Sequence, residues 1–375
     1  MDTINYEHPP VFDVLGSKDP YILIRKLFID YGYTRVVKLF TKICFIFHSA
    51  AFLMQIYFII DNFTWDLLTE YGSITSIQAF LLANMFFSMV VEGDVKTILG
   101  QHFNKLWSID SAGQKGRRII TERSKAIKRF NYVILAYFLF SFVVIWPEFG
   151  DHKELFFAKI AFEAYLGLWA KIPCAVFLLT LPVLAYGSFQ LCYTLVYSIL
   201  HMQIQIFLIS EHISQISADY DEVDEWAKIH DLNYQETMYK RLRCCIKHHI
   251  ALKRILRNIL QRVKSTMITL IFLGAICFIC LLSYIFNIGE NASNILKMRL
   301  ICLISCAQIV SCIYCAAGQL LIHETGCIHM VLMNSPWYIW NIKNRKALLI
   351  FMSNCLEPIK FSLAGITLNH ELIPI

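Results

Sequence analysis

Charge is scarce in this chain: Asp, Glu, Lys and Arg make up 17% of 375 residues, against about 25% in soluble domains. From Ser265 to Phe286 there is none at all. The shortage is clustered, which argues against the two soluble domains that the length alone would allow. Catalytic signatures are lacking as well. There is no GxGxxG, phosphate loop, HExxH or GxSxG, so neither an enzyme nor a bound cofactor is expected. His323, Glu324 and His329 come nearest to a metal set, but the last two are five apart, which is poor for one helical face. An internal repeat is missing too, and transporters usually show one. Met1 to Lys38 is polar and holds Pro9, Pro10 and Pro20, so no secretory signal is expected before the first apolar run.

What is present is apolar surface: 57% of residues are hydrophobic and 14% aromatic, with a mean hydropathy of +0.52. A crossing helix needs about 20 such residues. Six runs meet or approach this: Val37–Ile60, Gly72–Val91, Phe130–Trp146, Ile172–Leu195, Ser265–Phe286 and Leu300–Ile322. Lys38 and Lys42 can snorkel to a membrane surface, and Trp65, Trp146 and Trp169 suit an aromatic belt. Pro173 and Pro182 predict a bend in the fourth run. Thirteen cysteines are scattered mostly through the apolar runs. Cys277-x-x-Cys280 and Cys312-x-x-Cys315 have a metal-ligand spacing but no polar setting, so they read as small hydrophobes.

Orientation follows from the basic residues. Segments 1–36, 92–129, 202–264 and 322–348 carry 4, 9, 10 and 3 Lys and Arg; segments 61–70, 147–171 and 287–299 carry 0, 3 and 2. A bias of 26 to 5 predicts a cytosolic N-terminus. The sequons at Asn62 and Asn291 then fall outside, in loops short enough to hold them close to the bilayer. The expected layout is a cytosolic segment 1–36, helices 1–4 in 37–201, and cytosolic anchor helices in 202–264. Helices 5 and 6 follow in 265–322, with a cytosolic linker and incomplete seventh helix in 323–375.

Within 202–264, an acidic patch (Asp219, Asp221, Glu222, Asp224, Glu225) precedes a basic helix. Leu242, Cys245, His249, Leu252, Leu256, Ile259 and Val263 recur at 3-4 spacing, which predicts one apolar stripe. The stripe reads as packing on its own layer or on a neighbouring subunit, although a basic amphipathic helix can also take calmodulin or lipid headgroups. Near the end, Ala347–Leu356 is apolar for ten residues, about 15 Å of helix, too short to cross.

Several stretches resemble the insect odorant receptor family. Arg243-Cys-Cys-Ile-Lys-His-His249-x-x-Leu-Lys before the fifth run is similar to a patch found there in that family. Tyr314-Cys-Ala-Ala-Gly-Gln319, Ser335-Pro-Trp337, Leu348-Leu-Ile-Phe-Met352 and Leu363-Ala-Gly365 follow its order and spacing. The resemblance implies an all-α membrane protein, a seven-helix subunit of inverted topology. It further implies a heterotetramer with a co-receptor, working as an odorant-gated cation channel in olfactory neurons. Family ligand pockets lie in the outer halves of the second to sixth helices. The matching positions here are Ile77, Gln78, Phe138, Ser141, Phe142, Ile145, Trp146, Trp169, Phe177, Thr180, Leu184, Tyr284 and Ile304. Gln78, Ser141 and Thr180 stand out, because a polar group in a membrane needs a partner. Cytosolic helix ends form the family's subunit anchor, implying roles for Leu242, His249, Leu252, Leu256, Trp337 and Leu349. After Gly365 the family continues through a further apolar, aromatic stretch; here the sequence turns polar, so either a truncated sequence or a subunit without its own pore helix is expected.

Competing classes fit less well. A G-protein-coupled receptor would place its N-terminus outside and carry Asp-Arg-Tyr and Asn-Pro-x-x-Tyr, which are absent. A gustatory receptor shares the inverted topology; its Thr-Tyr…Gln-Phe tail is not found, but it would lie in the segment missing after Gly365, so this alternative stays open.

Overall fold

The computed structural model describes residues 19–102, 106–146, 156–288, 293–360, 362–363 and 366–367. A short helix, α1 (Ile22–Ile24), runs into a π-helical turn at Arg25–Asp30. The long helices are α2 (Arg35–Asp61), α3 (Trp65–His102), α4 (Gly113–Ile145), α6 (Lys171–Ser214), α8 (Leu232–Ile288) and α9 (Asn294–Met333). All six are long and apolar enough to cross a membrane. Between them lie α5 (Phe157–Leu166) and α7 (Glu225–His230), and α10 (Ile342–Cys355) follows α9. Starts are marked by side chains that accept from otherwise unpaired backbone N–H groups. Thr64 accepts from Leu67 N, Ser293 from Leu296 N and Asn341 from Asn344 N.

The two longest helices far outrun a bilayer of about 30 Å. With 44 and 57 residues, α6 and α8 measure about 66 and 86 Å. The apolar run in α6 stops at Leu195, but the helix continues unbroken to Ser214, so residues 202–214 continue the fourth helix rather than opening a separate anchor segment. From Gly187 to Ile213 almost every side chain is buried. Several of its polar groups have partners inside the protein. Gln205 bonds both Trp107 N (2.8 Å) and Trp107 O (3.0 Å). Tyr197 and His201 reach the Asp19 carboxylate at 2.8 and 3.2 Å. This central post joins the membrane bundle to an inner layer.

In that layer the 3-4 stripe of α8 faces inward, and Leu242, Cys245, His249, Leu252, Leu256, Ile259 and Val263 are all buried. They share the main core with α6, α9 and α10. Lys240, Arg243, Lys247, Arg254, Arg257 and Lys264 occupy the exposed faces. The acidic patch is tied down in part: Asp219 pairs with Arg241, and Glu225 accepts from Tyr338 Oη at 2.9 Å. Gln235 clamps α10 through Ile339 O (2.9 Å) and Asn341 N (2.8 Å).

The seventh segment folds back rather than crossing within the described residues. At 14 residues, α10 is about 21 Å long. It is followed by a two-residue antiparallel pair, β1 (Ser362–Leu363) and β2 (Ile366–Thr367).

Candidate functional site

At the outer end of the bundle, α5 lies across α2 and α6. Ala51, Ala158, Phe162, Ala170 and Phe177 meet there, with Phe47, Met54 and Cys174 around them. Beside this cluster is a cavity of about 210 Å³ lined by Phe156, Ala158, Lys159, Phe162, Cys174, Phe177 and Leu178. Its wall is almost wholly apolar, with the Lys159 ammonium, 3.8 Å from Glu163, as its charged member. A guest would be held chiefly by burial, at about 25 cal/mol per Å². Phe156 also belongs to a second outer cluster with Leu281, Tyr284, Leu296 and Leu300, against which Ile77, Leu178 and Ile304 pack.

Behind Phe177 runs a buried polar chain. The Phe177 ring packs 4.6 Å from that of His48, and His48 Nε2 lies 2.9 Å from Thr180 Oγ1. Gln78 Nε2 donates to His48 O at 3.3 Å, and Gln55 Nε2 donates to Gln78 Oε1 at 2.9 Å. Three helices, α2, α3 and α6, are thereby linked in the middle of the apolar bundle.

The thirteen predicted wall residues separate into groups. Phe177 lines the cavity; Ile77, Tyr284 and Ile304 surround the neighbouring cluster; Gln78 and Thr180 join the polar chain. Leu184 packs with Cys44, Leu82 and Met85. Phe138 stacks on Phe189 at 4.7 Å and faces the main core. Buried Ser141 neighbours the Cys306 thiol, half-buried Ile145 ends α4, and Phe142 packs 5.6 Å from Trp146. Trp169 is the exception. It is 73% exposed, on a turn that faces away from the packed interior, so it forms no cavity wall. The anchor positions also divide. Leu242, His249, Leu252 and Leu256 are consumed by the chain's own core, while Trp337 and Leu349 are 47% and 69% exposed and open to a neighbour. A calmodulin seat on the α8 stripe is disfavoured for the same reason, since the apolar face is already covered. Asn62 is exposed at the tip between α2 and α3; Asn291 lies outside the described residues.

Sequence reasoning passed over four contributors. His48 and Gln55 lie within the first span, and their separation of seven residues puts them on one helical face, a signal that was available. Arg299, grouped with the outer loop, is fully buried and reaches Val144 O and Trp146 O at 3.3 and 3.2 Å. The cavity face of α5 carries no signal beyond its apolar residues.

The inner layer has its own electrostatics. Burial pushes His248 down to about 3 and His249 to about 4. Burial also lowers His212. Trp107 packs between His212 and His248, with ring centroids 4.4 and 4.2 Å away. Burial would raise the Asp19 carboxyl, but bonds from His201, Tyr21 N and Tyr197 hold it below its ordinary value.

Among the described residues, six helices fit to cross a membrane, five of them packed with the central post α6, and a short helix folded onto the inner layer define a multi-pass all-α membrane protein. A family model described as 7tm Odorant receptor matches residues 35–371, and the chain belongs to that family. Among solved structures it is similar to the insect olfactory receptor OR5 from Machilis hrabei. Identity is 10% and the TM-score 0.60, over 92% of this chain and 86% of that one. The same receptor in complex with eugenol gives 10% identity and a TM-score of 0.53, over 92% and 87%. At that identity the likeness is one of fold, the seven-helix receptor fold. No curated protein matches the chain at significant similarity.

Proposed function

We propose that this chain is an odorant-receptor subunit that binds small volatile organic molecules in the outer half of its bundle. With a co-receptor in a heterotetramer, it gates a cation channel in the plasma membrane of the olfactory neuron dendrite. Family membership over residues 35–371 carries the reading. The outer cavity supports it, because apolar walls with a few placed polar groups suit a small-molecule site. The basic bias supports a cytosolic N-terminus and inner layer. Exposed Trp337 and Leu349, on the face of the inner layer that the chain leaves uncovered, are the anchor residues on which a neighbour would rest.

Expression in a cell line with and without the co-receptor tests this. Odour-evoked cation current should require both chains, and Phe177→Ala should change the ranking of active odorants while surface expression holds. Absence of current from the pair across a broad odorant panel, or equal current from this chain alone, would sink the proposal.

A further inference from the structure

The polar chain behind Phe177 leaves two buried acceptor atoms unpaired. His48 and Gln55 have no exposed surface at all. Thr180 has one hydroxyl proton, and its Oγ1 lies 2.7 Å from Val176 O, so the proton goes there. Thr180 Oγ1 therefore accepts from His48 Nε2–H. No carboxylate pairs with His48 among the described residues, and an imidazolium in such a place would be costly. The ring is thus neutral, and Nδ1 presents a bare lone pair. Gln55 spends one of its two N–H groups on Gln78, leaving the second and its own Oε1. Neither His48 Nδ1 nor Gln55 Oε1 has a hydrogen-bond partner. Each such atom costs about 1–3 kcal/mol when left unpaired.

Nδ1 of the neutral ring can only accept, whereas the Gln55 amide keeps a second N–H beside its unpaired Oε1. The two residues stand on one face of α2, and Phe177, which packs on His48, also lines the cavity. At about 210 Å³, that cavity exceeds the roughly 150 Å³ that takes up benzene in an engineered apolar core.

We infer that the site selects ligands carrying a hydroxyl, small alcohols or phenols, whose O–H is donated to His48 Nδ1. The inference rests on the odorant-receptor reading above and adds the ligand's chemistry to it. Turning the Phe177 ring joins the cavity to the acceptors, and the ligand's apolar body fills the space between α5 and α6. Ethers, esters and ketones of the same size bring only acceptors, and a site built to pair a hydroxyl rejects analogues that lack it.

The test uses the full-length chain with its co-receptor in cells, and the purified chain in detergent. The probes are alkanols and phenols of about six to ten heavy atoms, sized to the cavity, each against its own methyl ether. Alcohols should act at concentrations about tenfold lower than their ethers, both in evoked current and in thermal stabilisation of the purified chain. His48→Phe should cut that preference roughly threefold or more, and Gln55→Leu, which removes a donor and an acceptor together, should cut it less. If a variant does not reach the surface, the preference of the unaltered chain decides by itself. Ethers equal to alcohols, or a preference that survives in both variants, overturn the inference while the receptor reading stands. If neither series evokes current or stabilises the chain, the receptor reading fails and takes this inference with it.

Discussion

Arg299 lies across the end of α4 and reaches two carbonyls, Val144 O and Trp146 O, that the helix itself cannot satisfy. Arg299→Met keeps the length and removes the donors, leaving buried acceptors unpaired at about 1–3 kcal/mol each. The detergent-purified variant should unfold at a clearly lower temperature in a thermal scan; an unchanged midpoint refutes this role. Gly32 is a second such position. A Cβ there would stand 2.5 Å from Phe28 O, 2.7 Å from Gln190 Nε2 and 2.9 Å from Tyr186 Oη. Backbone cannot yield as a flexible side chain can, so Gly32→Ala should push the N-terminal turn off α6. The expected readout is a drop in folded protein recovered from membranes, with Gly93→Ala, which meets open space, as the neutral control. Neither role was legible in the sequence. Arg299 follows the masking polar run before α9, where a guanidinium reads as a loop charge, and nothing local to Gly32 announces the approach of a helix from 158 residues away.

Among the helices, legibility depended on whether a face was left to solvent. One side of α8 packs and the other carries cations, so its 3-4 stripe stood out and the structure buried every member. The inner half of α6 is surrounded, and burial on all sides erases the periodicity by which a helix is read. Hydropathy ended the fourth span where polar residues begin, because it cannot register that Gln205 and His201 are satisfied inside. The contact between these two helices also sets a pH dependence. Burial holds His248 near 3 and His249 near 4, with His212 lowered too, whereas the unfolded chain takes up those protons near pH 6.5. The folded layer is therefore favoured above about pH 6.5 and loses about 1.4 kcal/mol per pH unit per histidine as pH falls toward the folded values. Thermal midpoints of the purified chain should drop between pH 7 and pH 5. His248→Gln should flatten the slope; a midpoint independent of pH over that range rules the account out.

For the molecule as a whole, the outer cavity and the inner layer are expected on opposite sides of the bilayer. An epitope inserted at Asp221–Glu222, exposed between α6 and α7, should be stained only in permeabilised cells. One inserted at Phe63, between α2 and α3, should be stained on intact cells. The reverse pattern would invert the topology and undo the odorant-receptor assignment of the cavity. The unbroken run of α6 ties those two sides together, and its consequence is one of phase. Deleting a single residue near Leu191 would turn everything below it by about 100° and draw it up about 1.5 Å. Trp107, Asp19 and His248 would keep their places while Gln205 and His201 swung to face apolar neighbours. A helix bathed in lipid can absorb such a slip, because lipid accepts any apolar side. This one has no indifferent side, so it works as a ruler of fixed length, and insertions or deletions in this chain should be tolerated in its loops and not along α6.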